Sequence, residues 1–260
     1  MRLKEDIAHE LIRARRRSDA LTQAVDDHDL TRQHSPLMSP LVWDYAHIGN
    51  QEELWLVRDV GGREPIRADI DNLYDAFQHP RRDRPSLPLL GPAEARAYVG
   101  TVRDKVLDVL DGTALEGRRL IDQGFAFGMI VQHEQQHDET MLITHQLRHG
   151  APVLSAPAPP PAPPDAFGLP AEVLVPGGPF TMGTSTEPWA LDNARPAHAA
   201  YAAASYQDTC MTGSAGGTGS VTPNLVRTQP LPSRRQYSGA NRPARCRWPH
   251  PAGLHHRGSS

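Results

Sequence analysis

Cysteine is nearly absent: Cys210 and Cys246 are the two in a chain of 260 residues. They stand late and far apart, which excludes a disulfide framework and any zinc-finger spacing. Lysine is as scarce, at positions 4 and 105 only, so arginine carries the basic charge. We read this as the coding bias of a GC-rich gene. No run approaches the roughly 20 apolar residues of a membrane span. The opening Met1-Arg-Leu-Lys-Glu-Asp-Ile7 places charges where a signal peptide has an apolar stretch. A formal net charge of −3 lacks the one-sided excess that nucleic acid or an anionic membrane selects. The expectation is a cytoplasmic protein with neither nucleic acid nor a membrane as partner.

Apolar residues make up 38% of the chain, low for one compact globule, and the deficit is concentrated at the end. From Ala199 to Ser260 there is no Ile, Phe, Lys or Glu. Seven arginines there face one acid, Asp208, which leaves residues 1–198 with a formal charge of −9. Such a stretch has too little apolar surface to offset the entropy of ordering. Two readings of 199–260 stand, a disordered basic arm or an out-of-frame readout after an inserted or deleted nucleotide. We favour the second, so that the product is truncated after about residue 198. Residues 151–170 contain eight prolines and read as a semi-rigid extended linker. Beyond it, Glu172-Val-Leu-Val-Pro-Gly-Gly-Pro-Phe-Thr-Met-Gly183 reads as a strand, a Pro-Gly-Gly turn and a second strand.

Residues 1–150 carry helical periodicity. A first helix over 3–25 follows from Leu3, Ile7, Leu11, Leu21 and Val25, with Arg15, Arg16 and Arg17 as a solvated face. His28 lies among Asp26, Asp27 and Asp29, either as a metal ligand or within a polar helix-to-loop junction. Ser39-Pro40 signals the next helix, running from Pro40 to about Val60 and stopped by Gly61-Gly62, with Ser39 as cap. His47 lies inside its apolar set of Leu41, Trp43, Tyr45, Ile48, Leu54, Trp55 and Leu56. Residues 61–92 read as irregular, and Arg81, Arg82 and Arg84 either clamp a carboxylate or form a solvated loop. A third helix covers Pro92–Asp111 and a fourth Leu115–Arg148. Four helices with one long crossover describe a bundle, an architecture that builds metal sites from side chains on facing helices.

The fourth helix carries Gln132-His-Glu-Gln-Gln-His-Asp-Glu139. Its histidines are four apart, which sets two imidazoles on one helix face with Cβ atoms about 5–6 Å apart, close enough to share a metal ion. A solvated pair is the ordinary explanation of an isolated H-x3-H. Flanking Met129, Ile130, Met141 and Leu142 point instead to a core-facing position, where buried polar groups need partners. His47 is then the candidate third ligand.

Four stretches together resemble one family, the non-haem iron sulfoxide synthases of ergothioneine biosynthesis. They are Ser39-Pro-Leu-Val-Trp-Asp-Tyr-Ala-His-Ile-Gly-Asn-Gln-Glu-Glu-Leu-Trp55, Tyr74-Asp-Ala-Phe77, Gln132-His-Glu-Gln-Gln-His-Asp-Glu-Thr-Met-Leu142 and Val173-Leu-Val-Pro-Gly-Gly-Pro-Phe-Thr-Met-Gly183. The resemblance implies a mainly α protein: a DinB-like four-helix bundle over 1–150, then the first strands of an incomplete α+β formylglycine-generating-enzyme-like (sulfatase-modifying-factor-like) domain over 171–198. It implies Fe(II) held by His47, His133 and His137. It assigns Gln136 to the histidine-derived substrate and Arg81 and Arg84 to the carboxylate of a thiol substrate. The implied reaction is O2-dependent C–S bond formation and sulfoxidation joining hercynine to γ-glutamylcysteine or cysteine. Glu134 and Asp138 either orient ligand N–H groups or are surface charges. The family's second domain supplies a catalytic Tyr, and Tyr201, Tyr206 and Tyr237 match no such position. Ala194 stands where the resemblance expects Glu. The alternatives are a DinB-like Zn or Ni thiol-dependent transferase or isomerase, and a non-catalytic metal-binding remnant.

Overall fold

A computed structural model describes residues 2–155, 158, 160–161 and 172–208. They fall into two compact units, one holding the helices together with 183–196, the other holding 172–182 and 197–208. Among the described residues, no helix is long and apolar enough to cross a membrane.

The first unit is the expected four-helix bundle. Its helices are α1 (Arg2–Gln23), a short α2 (Asp27–Thr31), α3 (Leu41–Glu52), α4 (Pro92–Gly112) and α5 (Phe125–Leu147). Alternating steps of four and three carry α1's buried stripe of Ile7, Leu11, Ala14, Ser18 and Leu21. Val99, Val102, Val106 and Val109 do the same for α4, which begins with Pro92 in its first turn. Helix α3 is buried on nearly every side and packs against both α4 and α5. Gly49 permits the α3–α4 approach, because a Cβ there would stand 2.7 Å from Val99.

The second helix ends at Val60 before Gly61 as expected, but its cap, its winding and the start of the fourth helix differ from expectation, each for a local reason. Ser39 caps nothing; its hydroxyl accepts from Arg84 (2.6 Å), and Pro40 precedes the helix. The helix begun by α3 widens into a π-helical stretch over Glu53–Val60, with Gly61 N–H reaching back to Leu56 O. That wider turn carries Glu53 inward, where it accepts from Arg58, Tyr98 and the N–H of Ile66. Arg58 and Asn50 both bond Asp71, so the following loop is tied back to α3. The fourth helix begins at Phe125, not Leu115, because Gln123 and Gly124 adopt left-handed φ angles of 53° and 72°.

The second unit contains β1 (Glu172–Val175), β2 (Gly178–Met182), β3 (His198–Ala202) and β4 (Ser205–Asp208). The two predicted strands form, but they do not pair with each other: β1 pairs antiparallel with β4, and β2 with β3. Gly177 lies against the backbone of Ala202–Ala204, where a Cβ would stand 2.6 Å from Ala204 N. The two turns therefore nest. The loss of pattern expected from residue 199 is thus overridden as far as 208, since ladder hydrogen bonds need backbone and not alternating side chains. The expectations for 209–260, and for most of the proline-rich 151–170, lie outside the described residues. Within that segment Leu154 packs on the bundle core.

Candidate metal centre

Helix α5 presents two polar stripes one residue out of phase. The first is His133 and His137, facing α3. One ring nitrogen from each of His47, His133 and His137 lies within 4.8 Å of the others. Ring centroids are 5.1 Å apart for 47–133, 4.7 Å for 47–137 and 4.6 Å for 133–137.

Each ring is set by its own surroundings. His47 donates from Nδ1 to the backbone carbonyl of Tyr74 (2.7 Å). One turn earlier on α3, Trp43 stacks on it at 4.7 Å and 13°. Arg84 covers the other part of this column, its guanidinium carbon 3.4 Å from the Trp43 ring centroid. His137 donates from Nδ1 to Asp44 Oδ1 (3.0 Å). This leaves Nε2 as the candidate ligating atom of both residues. His133 Nδ1 is enclosed without a hydrogen-bond partner among the described residues, a condition that costs about 1–3 kcal/mol. Burial, reinforced by the neighbouring His137, holds His47 and His133 well below 6.5. Their imidazoles are neutral at pH 7, the form that offers a lone pair. Three imidazole nitrogens brought together at this cost fit a divalent metal, and imidazole suits Fe, Zn, Ni and Cu.

The second stripe is Glu134 and Asp138, which neither orient ligand histidines nor lie on the surface. Glu134 is fully buried and faces α1 and α4. Arg15 on α1 bonds Glu52 (2.6 Å) and Glu134 (2.7 Å), while Arg103 on α4 bonds Glu52 (2.6 Å) and Glu134 (2.8 Å). The ring of two guanidiniums and two carboxylates takes one residue from each long helix. Burial opposes ionisation of Glu134, but Arg15 and Arg103 outweigh it and hold its pKa low. Ser18 lies 2.8 Å from both Glu134 and Asp138. Burial pushes Asp138 up to about 7. Arg15, read as part of a solvated run, is thus a core residue, because it falls on the buried stripe that Arg16 and Arg17 miss.

The remaining predicted residues are scattered around this centre. Gln136 is exposed on α5 beside His137. Arg81 is exposed and donates to Leu37 O (3.0 Å). Arg84 is buried and donates to His79 O (2.9 Å) and Ser39 Oγ (2.6 Å); burial lowers it to about 10. Asp26, His28 and Asp29 do cluster, but Asp26 caps the N–H of Asp29 and Asp29 pairs with Arg148 (2.8 Å), as a helix-to-loop junction requires. Two contributors escaped the sequence reading: Asp44 and the Tyr74 carbonyl. Asp44 had a signal, since it precedes His47 by one helical turn. The carbonyl had none.

Trp189 completes the surroundings. Its indole covers Gly128, where a Cβ would stand 2.3 Å from the ring, and donates to Gln123 O (3.0 Å). Gln132, next to His133, donates to Trp189 O (2.9 Å).

Three curated proteins resemble this chain over most of its length. The chain is 52% identical over 200 residues to a hercynine oxygenase of Mycolicibacterium smegmatis, covering 75% of this chain and 45% of that protein. It is 52% identical over 202 residues to one from Mycolicibacterium thermoresistibile, covering 75% and 43%. For the hercynine oxygenase of Mycobacterium tuberculosis the figures are 48% over 198 residues, covering 75% and 45%. The chain therefore spans less than half the length of these curated relatives. Residues 10–141, which include all three histidines, match the DinB superfamily, and the chain belongs to it.

Proposed function

We propose that this chain supplies the iron centre of an O2-dependent sulfoxide synthase, joining hercynine to γ-glutamylcysteine or cysteine in the cytoplasm. The observation that carries the reading is the convergence of His47, His133 and His137, with two rings locked through Nδ1 and their Nε2 atoms left for a metal. The relatives' shared designation as hercynine oxygenases supports the substrate and the use of oxygen. Because less than half of each relative is spanned, the reaction as a whole is assigned to the family and the metal-binding part to this chain.

Bound iron(II) would supply the oxygen chemistry. The chain's own residues hold and orient. His47, His133 and His137 are the ligands, on three neutral nitrogens that leave the ion's charge available to anionic ligands such as a thiolate. Gln136, exposed immediately before His137, is the contact for the histidine-derived substrate. Arg81 and Arg84 lie on one short 3-10 turn, Arg81–Ser86, which is coupled to His47 through Trp43. They are the contacts for the thiol substrate's carboxylate.

The test is anaerobic loading of the purified chain and its His47→Ala, His133→Ala and His137→Ala variants with Fe(II). Hercynine, γ-glutamylcysteine and O2 are then supplied, and oxygen uptake and sulfoxide mass are followed. One iron per chain, lost in each variant, is expected. Unchanged metal content in all three variants overturns the centre. Thiol turnover by a Zn(II)- or Ni(II)-loaded chain without oxygen uptake replaces the reading with a thiol transferase or isomerase. Stoichiometric metal with no turnover of either kind leaves a metal-binding module.

A further inference from the structure

The three histidines differ in what stands behind them. His47 is backed by a neutral carbonyl, His137 by a carboxylate and His133 by no hydrogen-bond partner among the described residues. We propose that Asp44 is a positioning residue of this centre, acting through His137 and contributing the negative charge that makes His137 its dominant ligand. The inference rests on the metal reading above.

The geometry is specific. Asp44 is 1% exposed, stands on α3 one turn before His47, and reaches across to α5. Its Oδ1 accepts from His137 Nδ1 at 3.0 Å. Its Oδ2 is enclosed with no hydrogen-bond partner among the described residues. An enclosed carboxylate with one hydrogen bond costs more in lost hydration than that bond returns. Arg84, the neighbouring cation, makes its hydrogen bonds to His79 and Ser39 instead. Arg84 offsets the charge on Asp44 through space only, so hydrogen bonding within the fold does not account for a carboxylate here. A divalent ion at the imidazoles does account for it: the charge on Asp44 is offset across the ring of His137.

A carboxylate behind a ligand histidine fixes the tautomer, orients the ring and raises the donor strength of the far nitrogen. The donor order that follows is His137, then His47, then His133. One ligand is held by a charge, one by a dipole and one by packing.

The test uses the full chain and two variants. Asp44→Asn keeps an acceptor oxygen and removes the charge, and Asp44→Ala removes both. Dissociation constants for Fe(II) and Zn(II) are measured with the Fe(III)/Fe(II) midpoint potential, and helix content is checked by circular dichroism. Asp44→Ala is expected to weaken both metals roughly 10–100-fold, and Asp44→Asn by a smaller factor. The potential of Asp44→Asn is expected to rise, because the charge that favours Fe(III) has gone. In the Zn(II) form, nitrogen NMR is expected to show the His137 tautomer fixed in the parent and released in Asp44→Ala. If Asp44→Ala fails to fold, Asp44→Asn alone decides. Parent-like affinity and potential in a folded variant overturn the proposal while leaving the metal centre intact. A parent chain that binds neither metal overturns both.

Discussion

Two faces of one helix divide the polar chemistry of this bundle. His133 and His137 look toward α3; Glu134 and Asp138, one residue later in each case, look toward α1. On the second face Glu134 is closed, its carboxylate met by Arg15 and Arg103 and matched by Glu52 across the ring. On the first face the nitrogens converge on one point and leave His133 Nδ1 unmatched. Glu134 and Asp138 are buried and His133 and His137 half-buried, and that difference in exposure is too small to separate structure from function. Completeness separates the four-residue ring from the histidines. The ring, with every member paired, holds helices together, although Asp138 Oδ2 beside it is enclosed without a partner among the described residues. Three ring nitrogens converging on one point instead leave room for a ligand.

Breaking the closed face produces the largest effect on stability. Arg103→Met strands buried carboxylate charge and is expected to cost about 3–5 kcal/mol, read by urea denaturation of the metal-free chain. A shift below about 1 kcal/mol would mean the ring is solvated and the contrast false. Gly128→Ala tests the region beside the open face. A Cβ there meets the Trp189 ring at 2.3 Å, so the indole must move, at roughly 1–3 kcal/mol for overpacking and with a changed near-UV signal.

The open face is expected to respond in the opposite sense. His133→Leu abolishes metal binding, yet it removes an enclosed orphan nitrogen. The metal-free chain is then expected to stay within about 1 kcal/mol of the parent, and a larger loss would assign His133 to the core. The smallest effect belongs to His145, whose Nε2 donates to Leu21 O (2.9 Å) and whose pKa burial holds below 6.5. The folded state then takes up fewer protons than the unfolded one, so stability rises with pH through this region and falls on acidification. His145→Gln keeps a donor and is expected to flatten that part of the slope, measured as denaturation midpoints between about pH 5 and 8.

The bundle was legible because its signals are local. Buried stripes at three- and four-residue spacing, Pro92 at a helix start and the H-x3-H pair each follow from helix geometry. The missed features depend on distant partners. Arg15 looks like Arg16 until α4 and α5 supply Glu52 and Glu134 around it. The pairing of β1 with β4 and of β2 with β3 joins segments that no turn signal links. Ser39 read as a cap because the sequence does not show that Arg84 competes for its hydroxyl. The Tyr74 carbonyl could not be read at all, since every residue has one.

The column of Arg84, Trp43 and His47 gives this protein a built-in optical reporter. Trp43 is fully buried and in stacking contact with the His47 ring. An open-shell ion seated at that ring would drain the excited indole, whereas a closed-shell ion would leave its emission largely intact. Phenylalanine at position 43 would silence that response, so occupancy could be followed by light alone, without a dye, a label or turnover.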